Sequence, residues 1–141
     1  MIVLHLVLVL RRLRQIPQTG MSVGQDLFDW FCRDIDDNFR EMGVGDLKVP
    51  KEMQRVAEAF YGRAKAYDAA LDAQDAPALA GAVARNIYGA TDPPLGARQL
   101  ADYIRIAAGQ LASQSDAALQ RAELIFPDPE IAAAEPPPGG R

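Results

Sequence analysis

The sequence predicts an all-α fold: a single compact helical bundle of about five to six helices, followed by a disordered C-terminal tail. Three observations predict it. Alanine, the best helix former, is abundant, whereas Val, Ile and Thr are sparse beyond residue 10. Apolar residues recur at three- and four-residue steps in successive segments. Proline and glycine fall between those segments rather than within strand-like alternations. A chain of 141 residues suits one domain. The bundle is expected over residues 1–126 and the tail over 127–141.

Helix one is expected over residues 2–14. Residues 2–10, Ile-Val-Leu-His-Leu-Val-Leu-Val-Leu, are almost continuously apolar. Nine residues rise only ~14 Å as a helix, about half a bilayer core. The arginines Arg11, Arg12 and Arg14 follow the apolar run, and no small-residue cleavage site appears, so the segment does not read as a signal peptide. A helix apolar on all sides belongs at the centre of a bundle. Without a cover, Ile2, Val3, Val7 and Val9 are expected to expose an apolar patch.

Residues 17–24 read as a loop, with Ser22 and Gln25 spaced as a capping box. Helix two follows over 23–42, with Leu27, Phe28, Phe31, Ile35, Phe39 and Met42 on one stripe. Gly43 is placed to end it in left-handed geometry. Residues 43–49 form a turn, and Pro50 suits the first position of helix three, where its missing N–H costs nothing. Helix three covers 50–73 with Met53, Val56, Ala57, Phe60, Ala64, Tyr67 and Leu71 as its apolar face. Gly62 interrupts it at a cost of ~1 kcal/mol relative to Ala, and lets a helix or partner approach closely.

Asp75-Ala76-Pro77 opens helix four, over 76–88, with Leu79, Val83 and Ile87 inward and Gly89 at its end. Two consecutive prolines, Pro93 and Pro94, make 90–96 a loop. Helix five is expected over 97–112, with Leu100, Tyr103, Ile104, Ala107 and Leu111 inward. Ser115 or Asp116 caps a sixth helix over 116–126 carrying Leu119, Leu124 and Phe126, unless that stretch continues helix five. From Pro127 the composition is too poor in apolar residues to offset the entropy of ordering.

The net charge of −4 does not favour nucleic acid, whose phosphates need clustered Lys and Arg. The charge is uneven: residues 26–46 are mainly acidic and residues 48–65 mainly basic. Such blocks either pair within the fold or form a bipolar docking face. The single cysteine, Cys32, forms no intramolecular disulfide and fits a reducing compartment.

No catalytic pattern emerges. His5, the one histidine, lies in the apolar helix without a second ligand at metal spacing, and reads as a packing residue. Cys32 lacks a neighbouring base and reads as a small, partly buried side chain. Asp34, Asp36 and Asn38 start like a calcium loop, but the pattern needs Gly and Glu where Phe39 and Gly45 stand. A solvated helix face is the simpler reading of Asp34, Asp36 and Asp37, with a small metal-dependent helical enzyme as the alternative. Gly43-Val-Gly45-Asp46 lacks the third glycine and preceding strand of a dinucleotide loop. It reads as a tight turn built by Gly43, Gly45, Asp46 and Pro50, with Asp46 free to cap nearby N–H groups. Tyr61 and Arg63 are residue types enriched at interface hot spots.

One stretch is more specific. Arg40-Glu-Met-Gly-Val-Gly-Asp-Leu47, Val49-Pro-Lys51 and Ala59-Phe-Tyr-Gly-Arg63, with Leu4-His-Leu6, Leu10-Arg-Arg-Leu-Arg14, Leu27-Phe28, Asp34 through Asp37 and Arg85-Asn86, resemble the ubiquinol–cytochrome c chaperone family over about residues 2–90. The resemblance implies an all-α, non-enzymatic assembly chaperone of respiratory complex III. It implies association with newly made cytochrome b or another assembly intermediate, and no catalytic residue or cofactor. In mitochondria, members of that family work with a small partner protein near the ribosome exit. Family members usually carry a further helical segment before the stretch matching Met1 to His5, so the expectation is that an upstream extension covers helix one and raises stability and solubility. The contact region is expected at Lys48, Lys51, Tyr61 and Arg63, displayed beside the 43–47 turn. The expected location is the cytoplasm at the inner face of a bacterial membrane, or the matrix side of a mitochondrion. A peripheral lipid-binding module docking through helix one and its arginines is a further alternative.

Overall fold

A computed structural model describes residues 1–133 of the chain. The described residues form seven α-helices and one π-helical turn, with no β-strand among them. They fall into two compact units, Met1–Lys65 and Ala66–Arg141.

In the first unit, α1 spans Ile2–Leu13. Its run of leucine and valine leaves no polar face, and Leu6 through Leu10 are all buried, together with Leu4, Leu13 and Arg12. Burying each such Leu or Val stabilises by roughly 1.5–3 kcal/mol. The exposed patch expected at Ile2, Val3, Val7 and Val9 does not form: Val7 is only 1% exposed and Val9 is buried, leaving Met1 and Ile2 open at the helix start.

α2 spans Gly20–Glu41 and packs on α1. It starts three residues earlier than the sequence predicts, and the expected capping box of Ser22 and Gln25 is absent. Thr19 is the N-cap residue, and Gln25 donates instead to Asp29 at 2.8 Å. The early start is set by a close approach at Gly20. A Cβ there would overlap the Leu13 carbonyl oxygen and lie 2.8 Å from Ile16 Cβ. Only glycine lets the chain turn so sharply after α1. α3 spans Val49–Asp72, so Pro50 is its second residue rather than its first. Phe60 and Ala64 are buried on its inner stripe.

In the second unit, Tyr67 and Ala70 of α3 are buried. α4 spans Ala76–Val83, capped by the Asp75 carboxylate, which accepts from the Ala78 N–H at 2.9 Å. The helix expected to run on to residue 88 widens into a π turn, Ala84–Tyr88. Gly89, at φ 62°, closes it, and its N–H reaches back to the Ala84 carbonyl. Asn86 donates its side-chain amide to the Ala82 carbonyl at 2.8 Å. The widening alters the helical register, and Ile87, expected inward, is exposed.

α5 spans Leu95–Ser113 and packs on α4. Ala97, Ala101, Ile104 and Ala107 form its small-residue contact face, with Tyr103 and Leu111 also buried. α6 is only Asp116–Gln120, capped by Ser115 accepting from Ala118. It is separate from α5, and it does not reach residue 126. Ala122 adopts a left-handed φ of 58°, and the Gln114 amide clamps Ile125 by two bonds, 2.8 Å to its carbonyl and 3.1 Å from its N–H. That clamp ties down residues 123–128, which belong to no helix. A last helix, α7 at Pro129–Ala133, packs against α5, so order continues past Pro127, where the sequence predicts the tail to begin. The remainder of that tail lies outside the described residues.

Candidate functional site

The α2–α3 hairpin of the first unit carries every candidate contact residue. α2 ends because Gly43 takes φ 81°, with the Gly43 N–H on the Arg40 carbonyl and the Val44 N–H on the Phe39 carbonyl. The Gly45 carbonyl then accepts from the N–H groups of Lys48 and Val49 at 2.7 and 3.2 Å and starts α3. Arg40 braces the turn: its Nε donates to Asp36 at 2.7 Å and its terminal nitrogen to Asp46 at 2.6 Å. Its pKa is raised, first by the hydrogen bond to Asp36. Asp46 is therefore a partner of Arg40 across the turn, not the backbone cap expected from the sequence.

This bracing presents an apolar tip. Leu47 is 97% exposed and Met42 is 70% exposed. Met42 therefore leaves the core stripe on which its spacing places it. The reason is local: it follows the last residue of α2, where the chain turns away. Lys48 and Lys51 are exposed beside the tip.

Further along the hairpin, four aromatic rings meet. Phe28 of α2 lies 4.9 Å from Phe60 and 5.6 Å from Tyr61, and Phe31 lies 6.4 Å from Phe60. These are separations at which tilted rings attract one another. Phe31 and Phe60 are buried, whereas Tyr61 is 60% exposed. Tyr61 is thus an aromatic surface resting on an anchored platform. Arg63 is half-buried and lies about 200° from Tyr61 around α3. The two residues flank the buried stripe on opposite sides. The hairpin brings Lys48 and Lys51 to its tip and Tyr61 to one flank, and leaves Arg63 on the other.

A recess of about 390 Å³ lies between α2 and α3, lined by Cys32, Arg33, Asp36, Asp37 and Met53. One of its two carboxylates is engaged locally. Asp36 holds Arg40 at 2.7 Å, and outside the recess the Asn38 amide donates to the backbone carbonyl of Asp34 at 2.7 Å. Among the described residues no cluster of three or more His, Cys, Asp or Glu could hold a metal ion. Burial, and secondarily the charge of Asp29, pushes the Cys32 thiol up from its ordinary pKa, which works against a nucleophilic role. His Nδ1 of residue 5 lies 3.0 Å from the Met1 carbonyl, a contact within its own helix. No described helix is long and apolar enough to cross a membrane.

Several exposed apolar residues are not anticipated by the sequence, Leu47, Trp30 and Tyr88 among them. Leu47 sits between Asp46 and Lys48 in a turn where no periodicity applies. Trp30 could have been found, because it falls off the stripe formed by Leu27, Phe28, Phe31 and Ile35.

The family described as Ubiquinol-cytochrome C chaperone matches residues 1–126. Among solved structures, the crystal structure of the Cbp3 homolog from Brucella abortus is 38% identical in sequence, with a TM-score of 0.79. The match covers 91% of this chain and 71% of that one. No curated protein matches the chain by sequence. A family match over nearly all the described residues and a solved relative of the same fold agree: the chain belongs to the ubiquinol–cytochrome c chaperone family.

Proposed function

We propose that this protein is a non-enzymatic assembly chaperone for complex III, and that it holds newly made cytochrome b through the α2–α3 hairpin. The observation that carries the reading is the near-complete exposure of Leu47 on a turn braced by Arg40. A lone exposed leucine is ordinary on a protein surface, but Leu47 shares this tip with the exposed Met42, and the bracing spares the pair the ordering cost of a flexible loop. Lys48 and Lys51 add positive charge beside it, and Tyr61 adds a rigid aromatic contact. The resulting surface suits a client segment with apolar side chains and acidic or phosphate-bearing neighbours. Such binding is reversible and non-covalent, and it places the protein at the inner face of the membrane where the client is made.

The test is an affinity capture from mildly solubilised membranes. Wild-type protein should enrich cytochrome b, and Leu47→Ser, Lys48→Glu and Tyr61→Ala should each weaken capture several-fold, the first two without lowering Tm. In parallel, a deletion strain should lose assembled complex III while cytochrome b synthesis continues. Normal complex III in that strain would end the proposal. Capture unaffected by all three substitutions would move the contact away from the hairpin.

A further inference from the structure

A second concavity lies wholly within the second unit, and the reading of the hairpin does not use it. It is a groove of about 630 Å³ between α4 and α5, within the range of small-molecule sites. Its floor is apolar and buried: Leu79 and Ala80 of α4 and Ala101 of α5. Small residues, Ala76, Pro77, Gly81 and Pro93, complete its walls. The lining holds no aromatic ring on which a planar ligand could stack, and its apolar surface suits an unbranched chain better than a ring system. The residues that line it run from Ala76 to Gly81 on α4, about 8 Å, and from Arg98 to Arg105 on α5, about 10 Å.

The rim is charged in a chain whose net charge is −4. Arg98, Asp102 and Arg105 all line the groove from α5. They stand at positions i, i+4 and i+7, on one face of the helix. Arg98 uses its Nε on the Pro93 carbonyl at 3.0 Å, which fixes the guanidinium and points its binding capacity to its two terminal nitrogens. Arg105 lies 3.8 Å from Asp102, beyond hydrogen-bond distance, so both charges keep their hydrogen-bonding capacity. Two arginines against one aspartate give the rim a net charge of one positive unit. That balance favours a monoanion. Asp102 would repel a doubly charged phosphate about twice as strongly as a carboxylate at the same distance, and a carboxylate still matches one planar guanidinium in two parallel bonds.

We propose that the α4–α5 groove binds a medium-chain carboxylate, with its unbranched apolar chain along Leu79, Ala80 and Ala101 and its carboxylate at Arg98 and Arg105.

Decanoate is the probe, with decanol and decyltrimethylammonium as neutral and cationic counterparts, each kept below its micellar concentration. Titration is followed by calorimetry and by amide shifts in α4 and α5. Decanoate should bind about ten-fold more tightly than either counterpart, the margin expected of one charge-assisted contact. Arg98→Gln/Arg105→Gln should abolish that preference. Gly81→Leu fills the slot, and its Cβ meets only the mobile end of Arg85 at 3.3 Å. Leucine also favours a helix over glycine, so this variant should keep its Tm while losing decanoate. Equal affinity for decanoate and decanol would overturn the assignment of charge. Binding that survives Gly81→Leu, or no binding below the micellar range, would overturn the site. Neither result bears on capture of cytochrome b by the hairpin.

Discussion

Two glycines four residues apart on α2 should respond to the same substitution with opposite signs. At Gly20 an alanine Cβ would overlap the Leu13 carbonyl oxygen and lie 3.1 Å from its carbon. The obstacle is backbone, and that carbonyl also accepts the Ile16 N–H at 2.9 Å, so it cannot swing aside cheaply. Overpacking a tight site costs about 1–3 kcal/mol, and a clash with backbone belongs at the upper end. The gain in helix propensity, at most ~1 kcal/mol, is small in the first turn. Gly20→Ala should therefore destabilise by roughly 2 kcal/mol, or ~6 °C in Tm for a chain of this size. At Gly24 the nearest atoms to the new Cβ are side-chain carbons of Leu10 and Leu13 at 3.5–4.0 Å, ordinary contact distances. Gly24→Ala should stabilise by about 0.5–1 kcal/mol. Urea unfolding read by circular dichroism measures both. A Gly20→Ala variant as stable as the parent, or shifts of one sign at both positions, would refute the packing account of the α1–α2 corner.

Gly43→Ala should cost about 1 kcal/mol in urea unfolding through its positive φ, while Gly43→Asn should cost less. Gln114→Ala should lose roughly 1 kcal/mol and speed amide exchange at Ile125, because the clamp on the 123–128 segment is gone. Cys32 should alkylate with iodoacetamide more slowly at pH 8 than a free cysteine. Its raised pKa leaves less thiolate at that pH, so the rate profile should be displaced upward, and a profile displaced downward would contradict the burial of the thiol. Arg40→Met should loosen the turn and raise exchange at Val44 and Lys48, with little change in Tm because both its ion pairs are exposed.

What the sequence revealed was mostly what the backbone decides locally. Gly43 and Gly89 were readable as helix ends, and both take left-handed φ. The stripe of Phe31, Phe60, Ala64 and Tyr67 was readable because burial of one face imposes a 3.6-residue period. The rest depends on partners distant in sequence or on competing hydrogen bonds. Nothing in Ala122 announces a left-handed residue. It closes α6, with its own N–H on the Leu119 carbonyl and the Glu123 N–H on the Ala118 carbonyl, while Gln114 pins Ile125 from eleven residues away. The apolar spacing of 79, 83 and 87 fits a straight helix, and only the bonds closing on Ala84 show the widened turn. At the candidate site, the residue types were legible but not their grouping. Tyr61 and Arg63 are neighbours in sequence and lie on opposite flanks of α3. Leu47, the most exposed apolar residue, belongs to no repeating pattern.

The π turn at Ala84–Tyr88 has a consequence for how this region tolerates change. A five-residue ring is an ordinary helical turn carrying one surplus residue. Deleting a single position there would let the helix close normally, whereas deletion elsewhere in α4 would twist its buried face out of alignment with α5. The segment is a splice point: length can change here by one without disturbing what lies upstream, and the aromatic ring of Tyr88 would swing to a new bearing as it did.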